Sequence, residues 1–235
     1  GHETELYKEL RADLDAKTRA SSTQKQAVET LIDETAYTWF NRLTALRFME
    51  ANGYTTRTLS STTPGMVDPD LLQHATNLVG NDEFPGLSLN DLDRWRKQGD
   101  GVVYRNLLVA QCTKLAEPLP SLFGEGKRYA ELLLPDNLLN QDSIIRRLAN
   151  DIPEEDWQEI EIIGWLYQFY ISERKDEVIG AKSTVAAQDI PAATQLFTPH
   201  WIVRYMVENS LGRLWLEAHP DSNLRQHMPY YLESK

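Results

Sequence analysis

A single cysteine, Cys112, leaves no partner for an internal disulfide, and a reducing, cytoplasmic compartment fits that usage. No run approaches the ~18 consecutive apolar residues of a spanning helix. The polar, acidic start Gly1-His2-Glu3-Thr4-Glu5 has no signal-peptide pattern, so no membrane partner is expected. The histidines His2, His74, His200, His219 and His227 lack HExxH or Cys/His ligand spacing, which argues against a metal site. No Gly-x-Ser-x-Gly elbow is present. The run Gly124-Glu125-Gly126-Lys127 is no phosphate loop, because the position of the first Walker glycine holds Ser121 and no Ser or Thr follows Lys127; it reads as a surface turn. Basic excess is missing too. The balance of 24 Lys and Arg against 35 Asp and Glu gives a net charge of -11, which opposes nonspecific attraction to a phosphate backbone. Arg94-Trp95-Arg96-Lys97, Lys127-Arg128 and Arg146-Arg147 are read as solvated helix faces or ends.

What remains is helical periodicity. At 235 residues and 41% hydrophobic content the chain can build one sizeable or two small packed units, with no repeat and no low-complexity tract. Leu6, Leu10 and Leu14 mark an amphipathic helix over residues 4–20. Thr23 and Gln26 stand at capping-box spacing ahead of a long helix that stops at Asn52-Gly53. Val28, Leu31, Ile32, Trp39, Phe40, Leu43, Leu46 and Met49 make it the central core helix of the first half. Asn41, Arg42 and Arg47 interrupt that face, and buried arginines there require a carboxylate such as Asp33, Glu34 or Glu50 or a chain-end carbonyl; the other reading is a phosphate or partner contact. Residues 55–68, with Pro64-Gly65, read as a loop. Short helices follow over 70–79, from Ser88 to Gln98, over 102–115 around Cys112, and from Asp142 or Ser143 through Leu148. Pro153-Glu154-Glu155-Asp156 forms the acidic first turn of a helix running through Trp157, Ile163, Leu166 and Tyr170, whose aromatic stripe reads as core.

The most informative stretch is Gln195-Leu196-Phe197-Thr198-Pro199-His200-Trp201-Ile202-Val203-Arg204-Tyr205-Met206-Val207. Thr198 suits an N-cap, Pro199 the first helical position, and Phe197 a staple on the first turn. Ile202, Val203, Met206, Leu211, Leu214 and Trp215 recur at helical spacing as an inward stripe. The Phe-Thr-Pro-x-x-Ile-Val-x-x-Met-Val pattern resembles the segment before the cofactor-binding strand of DNA adenine methyltransferases of the amino-methylating class. More specific are Tyr37-Thr38-Trp39-Phe40-Asn41-Arg42-Leu43, Ala45-Leu46-Arg47-Phe48-Met49-Glu50, Ile163-Gly164-Trp165-Leu166-Tyr167-Gln168-Phe169-Tyr170 and Ile190-Pro191-Ala192-Ala193-Thr194. Together they resemble the amino-terminal part of the PglX (BrxX) family, the adenine-specific methyltransferases of BREX phage-defence systems.

The expected fold is mainly α, an irregular multi-helix bundle of about ten helices with one or two small extended pieces. The resemblance divides it into a helical amino-terminal domain over 1–172, a connecting loop over 173–190, and the start of a methyltransferase domain over 191–235. It also implies that Phe197, Thr198 and Pro199 lie beside the methionine portion of S-adenosylmethionine, with the Thr198 hydroxyl or the helix-start amides meeting a carboxylate. Double-stranded DNA is the implied partner of the whole enzyme, with other BREX defence proteins beside it. Methyl transfer to the adenine amine needs a glycine-rich turn after a strand and an Asp/Asn-Pro-Pro-aromatic loop. No two prolines are adjacent and no Phe-x-Gly-x-Gly is present, so this stretch is expected to end before the catalytic motifs and to be inactive alone. The other reading is a noncatalytic helical scaffold whose acidic face binds protein.

Overall fold

The structure, a computed structural model, describes residues 2–21, 23–124, 126–181 and 184–233. The chain divides into two compact units, Gly1–Gln158 and Glu159–Lys235. Among the described residues there are ten α-helices, short 3-10 turns, one π turn over Pro120–Gly124, and no strand; the small extended pieces are absent from them.

Unit 1 holds α1 (His2–Ala20), α2 (Gln24–Ala51), α3 (Asp70–Gln73), α4 (Leu89–Arg96), α5 (Asp100–Leu115) and α6 (Ile144–Asn150). Its helix starts are written locally. The Thr23 hydroxyl accepts from the Gln26 amide at 3.2 Å to open α2. Ser88 does the same for Asp91 in α4, also at 3.2 Å, and donates back to the Asp91 carboxylate at 2.6 Å. Ser143 opens α6 by accepting from Arg146. Such caps are worth ~1 kcal/mol each. α2 stops where Asn52 and Gly53 turn the chain, Gly53 taking a φ of 71° that suits only glycine there.

α2 and α5 form the centre. Leu31, Trp39, Leu43 and Leu46 from α2 are buried, as are Tyr104, Leu107, Leu108 and Cys112 from α5; burying each large apolar side chain contributes ~1.5–3 kcal/mol. α1 closes one side, where Leu6, Leu31 and Tyr129 pack together with Leu10 and Leu14. Val28 and Ile32, expected in the core, are exposed by 37% and 55%: α1 packs over the Leu31 side of α2 and leaves theirs open. Cys112 is a buried free thiol that burial pushes up to about 12, so it is inert.

The buried arginines on α2 are bonded through their terminal nitrogens, while the Nε of each has no hydrogen-bond partner. Arg42 donates to the Phe123 carbonyl at 2.9 Å. Arg47 bonds Glu50 at 3.1 Å and also Glu154, and its guanidinium lies 5.5 Å from the centre of the fully buried Trp157 ring. Glu50 in turn accepts the amides of Thr58 and Leu59 at 2.6 and 2.7 Å. Arg57 meets Glu154 at 2.7 Å. Asp70 accepts from Ser61, from the Thr62 amide and from the Thr62 hydroxyl. Residues 55–68 are thus a loop, as their composition indicates, tied down by two carboxylates and by the fully buried Leu59.

Unit 2 holds α7 (Glu161–Gly180), α8 (Ile190–Thr194), α9 (His200–Asn209) and α10 (Leu211–Ala218). Three expectations change here. The helix assigned to Pro153 onward splits: Glu154 is drawn to Arg47 and Arg57, Trp157 ends unit 1 in a short turn over Asp156–Gln158, and α7 begins only at Glu161. Beyond residue 172 the helix does not give way to a loop. α7 continues to Gly180, and α8 begins at Ile190 with Arg174 paired to Asp189 at 2.8 Å; charged residues at helical surface positions were read as irregular. Lys182 and Ser183 of that connection, like Glu125 of the 124–127 turn, lie outside the described residues. Finally, the stripe expected as core is core only at Trp157: Ile160, Ile163 and Tyr170 are exposed by 74, 37 and 38%, and Leu166 and Tyr167 are half-buried.

Candidate functional site

Phe197 and Thr198 line a cleft of about 340 Å³ in unit 2, together with Ile160, Glu161, Ile163, Gly164 and Trp165. Gly164 lets Phe197 approach α7 closely: a Cβ there would lie 2.8 Å from Phe197 Cδ1 and 2.9 Å from its Cγ. Tyr167 meets that ring edge-on, with centroids 5.9 Å apart, and Gln168 donates to the Phe197 carbonyl at 3.3 Å. Phe197 is therefore seated on α7, where the sequence placed it as a staple on the helix that follows.

The helix start also differs from expectation. Pro199 occupies the cap position with φ -53° and ψ 139°, α9 begins at His200, and no side chain caps it from within the segment. Thr198 stands one residue too early to cap and is exposed. The donor is met from α7 instead: the Glu161 carboxylate accepts from the His200 amide at 2.5 Å. A carboxylate at this end is favoured by the partial positive charge of unpaired amides. The charge came from within the chain, and spacing within residues 195–207 could not have revealed it. The structure brings Phe197 and Thr198 to the cleft and leaves Pro199 behind them as the turn into α9.

Beyond the cleft, the face expected to point inward points outward. Ser210, at φ -113° and ψ -86°, breaks the expected single helix into α9 and α10. Of the expected stripe, Val203, Met206, Leu211, Leu214 and Trp215 are exposed by 44 to 68% and Ile202 is half-buried; Val207 beside them is exposed by 49%. The buried positions are Glu208 and Gly212. Residues 222–233 cross that polar side: Glu208 accepts the Tyr230 amide at 2.7 Å, Asn209 accepts the Leu232 amide at 2.7 Å, and the buried Met228 lies over Gly212. Polar residues therefore found backbone partners nearby, and the apolar stripe was left over. Among the described residues no cluster of His, Cys, Asp or Glu is arranged to hold a metal ion, and no helix is long and apolar enough to cross a membrane.

The described residues thus form a helical unit 1 with a buried core and a helical unit 2 that displays an apolar face. The chain is 50% identical over 216 residues to the adenine-specific methyltransferase BrxX of Escherichia coli O9:H4 (strain HS), covering 89% of this chain and 17% of that protein. It is 39% identical over 226 residues to the adenine-specific methyltransferase PglX of Lacticaseibacillus casei (strain Zhang), covering 88% of this chain and 18% of that one. No family model matches the chain. The chain is thus homologous to one segment of BrxX and PglX, and spans less than a fifth of the length of these relatives.

Proposed function

We propose that this chain is the amino-terminal helical section of a site-specific DNA adenine methyltransferase of a BREX-type phage-defence system. The whole protein transfers a methyl group from S-adenosylmethionine to the exocyclic amine of adenine in double-stranded DNA. It does so in the cytoplasm, beside other BREX defence proteins. Residues 1–235 alone do not catalyse the transfer. The observation that carries this reading is the 50% identity to BrxX over 216 residues. The part of the chain left unmatched is smaller than unit 2, so the likeness reaches beyond unit 1.

On this reading, residues 191–235 open the methyltransferase domain, and Phe197, Thr198 and Pro199 stand beside the cofactor. The side chains fit as one wall of a pocket. The ring of Phe197 and the side chain of Trp165 offer apolar surface, and exposed Thr198 makes no cap bond that would engage its hydroxyl. A ligand carboxylate does not fit at the His200 amide, which Glu161 already holds; the Glu161 carboxylate suits an ammonium instead. S-adenosylmethionine supplies the electrophilic methyl group when bound, and the glycine-rich turn and base-stacking loop that complete such a site are absent from this sequence. The test is to read the gene past residue 235. A glycine-rich cofactor motif followed by Asn-Pro-Pro-Tyr or Asn-Pro-Pro-Phe is expected, and a continuation with neither ends the proposal.

A further inference from the structure

The outward stripe of α9 and α10 is the most unusual surface of the chain. Val203, Met206 and Val207 continue across the Ser210 break into Leu211 and Leu214, with no charged side chain among them. The exposure does not come from a loosely held helix pair. Residues 222–233 fix the opposite side in one orientation: Arg204 donates to the His227 carbonyl at 3.0 Å, Arg213 to the Leu232 carbonyl at 2.9 Å, and Asn209 exchanges bonds with both Tyr230 and Leu232. Gly212 completes the arrangement, since a Cβ there would lie 2.6 Å from Met228 Cε. The strap covers the polar side and thereby presents the apolar side.

From this geometry we infer that the stripe is a docking face for the same polypeptide. Its occupant is an apolar surface of the segment that follows residue 235 in a protein of the relatives' length. This rests on the reading above, and it adds to it a named face and a named occupant. Three observations choose that occupant. Most of each relative's length lies outside the matched region, so ample chain is available to cover the face. The stripe is uncharged, so it selects an apolar partner and gains nothing from DNA, whose backbone the net charge of -11 repels. A segment joined covalently also acts at a millimolar effective concentration, which outcompetes a second copy of the chain. The strap then has a role: it holds α9 and α10 with their apolar side outward for the later segment.

The experiment places single cysteines at Met206→Cys and Leu214→Cys, with Glu217→Cys as an exposed control. Iodoacetamide labelling is read peptide by peptide in the full-length protein and in residues 1–235. Docking in cis predicts labelling at 206 and 214 at least about tenfold slower in the full-length protein, with position 217 unchanged. Equal rates in the two chains overturn the inference. Protection in both chains, with residues 1–235 running as a dimer, also overturns it and assigns the face to a second copy. The same samples are assayed for methyl transfer. Protection without transfer leaves the docking face standing and removes the methyltransferase reading; transfer with equal labelling does the reverse.

Discussion

Truncating Glu50 to alanine is the most severe single change that the structure of unit 1 identifies. Its side chain is fully enclosed, with Oε2 accepting the Thr58 and Leu59 amides at 2.6 and 2.7 Å and Oε1 accepting from Arg47 at 3.1 Å. Thr58 and Leu59 are themselves without solvent exposure, so neither orphaned amide gains water in exchange. Arg47 is 2% exposed and keeps only Glu154. Breaking a buried pair costs ~3–5 kcal/mol, because the remaining charge stays buried, and each stranded amide costs ~1–3 kcal/mol when counted alone. These losses overlap, so about 4 kcal/mol is expected, or a fall in Tm of roughly 10 °C for a unit of this size. Glu154 provides the internal comparison. It bridges Arg47 and Arg57 but is 38% exposed, so water replaces part of what it gives, and Glu154→Ala should cost ~1 kcal/mol. Thermal and urea unfolding followed by circular dichroism measures both. A Glu50→Ala loss below about 1 kcal/mol, or a larger loss for Glu154→Ala than for Glu50→Ala, would refute the view that the 55–68 loop hangs on this carboxylate.

Further outcomes follow from the same geometry. Glu161→Ala should weaken the start of α9 by ~1 kcal/mol, whereas Thr198→Ala should leave it within a few tenths of wild type, read as amide exchange at residues 200–203; the reverse ranking would restore Thr198 as the cap. Gly164→Ala should cost ~1–3 kcal/mol, because the new Cβ meets ring atoms of Phe197. Gly212→Ala should also destabilise, by ~1 kcal/mol, since its Cβ would lie 2.6 Å from Cε of the buried Met228 and 3.4 Å from the Val207 carbonyl oxygen; an unchanged thermal melt would contradict this. Burial pushes the Asp70 carboxyl up, but bonds from Thr62 and Ser61 outweigh it and hold the group below its ordinary value. A depressed carboxyl stabilises the fold above its unfolded pKa. The stability difference between wild type and Asp70→Asn should therefore be constant at neutral pH, and shrink only as pH falls below about 4. A difference that grows on acidification has the wrong sign. Calorimetry of residues 1–235 with S-adenosylmethionine should show no tight binding, and micromolar affinity would place a finished pocket within these residues.

The legibility of the sequence followed the range of the forces involved. The caps at Thr23 and Ser88, the stop at Asn52-Gly53 and the loop over 55–68 depend on neighbours a few residues away, and each stands where its residues indicate; of Asp142 and Ser143, both open as the cap of α6, Ser143 takes it. The demand of a buried arginine for a carboxylate or a carbonyl is readable as well, but not which: of Asp33, Glu34 and Glu50, Arg47 takes Glu50, and Arg42 takes the Phe123 carbonyl. What could not be read depends on distant chain. Glu154 was assigned to a helix's first turn, yet two arginines from α2 and the loop hold it. Glu161 caps a helix 39 residues away and so displaces Thr198 from that role. The inward stripe failed for a different reason. Periodicity shows that Val203, Met206 and Leu214 share a side, but it cannot say whether the surface that covers them lies within these 235 residues. At the cleft, Phe197 and Thr198 were named from the sequence. Gly164 and Trp165 appeared only within the family pattern, with nothing to mark them as the floor on which Phe197 is seated.

The central claim is that methyl transfer belongs to a longer protein of which this chain is the helical forepart. It is tested most directly by incubating double-stranded DNA with S-adenosylmethionine carrying a labelled methyl group, using the full-length protein and residues 1–235 in parallel. Label on the exocyclic amine of adenine with the full-length protein, and none with residues 1–235, is the predicted result. Transfer by residues 1–235 alone, or no adenine labelling by the full-length protein, would contradict it.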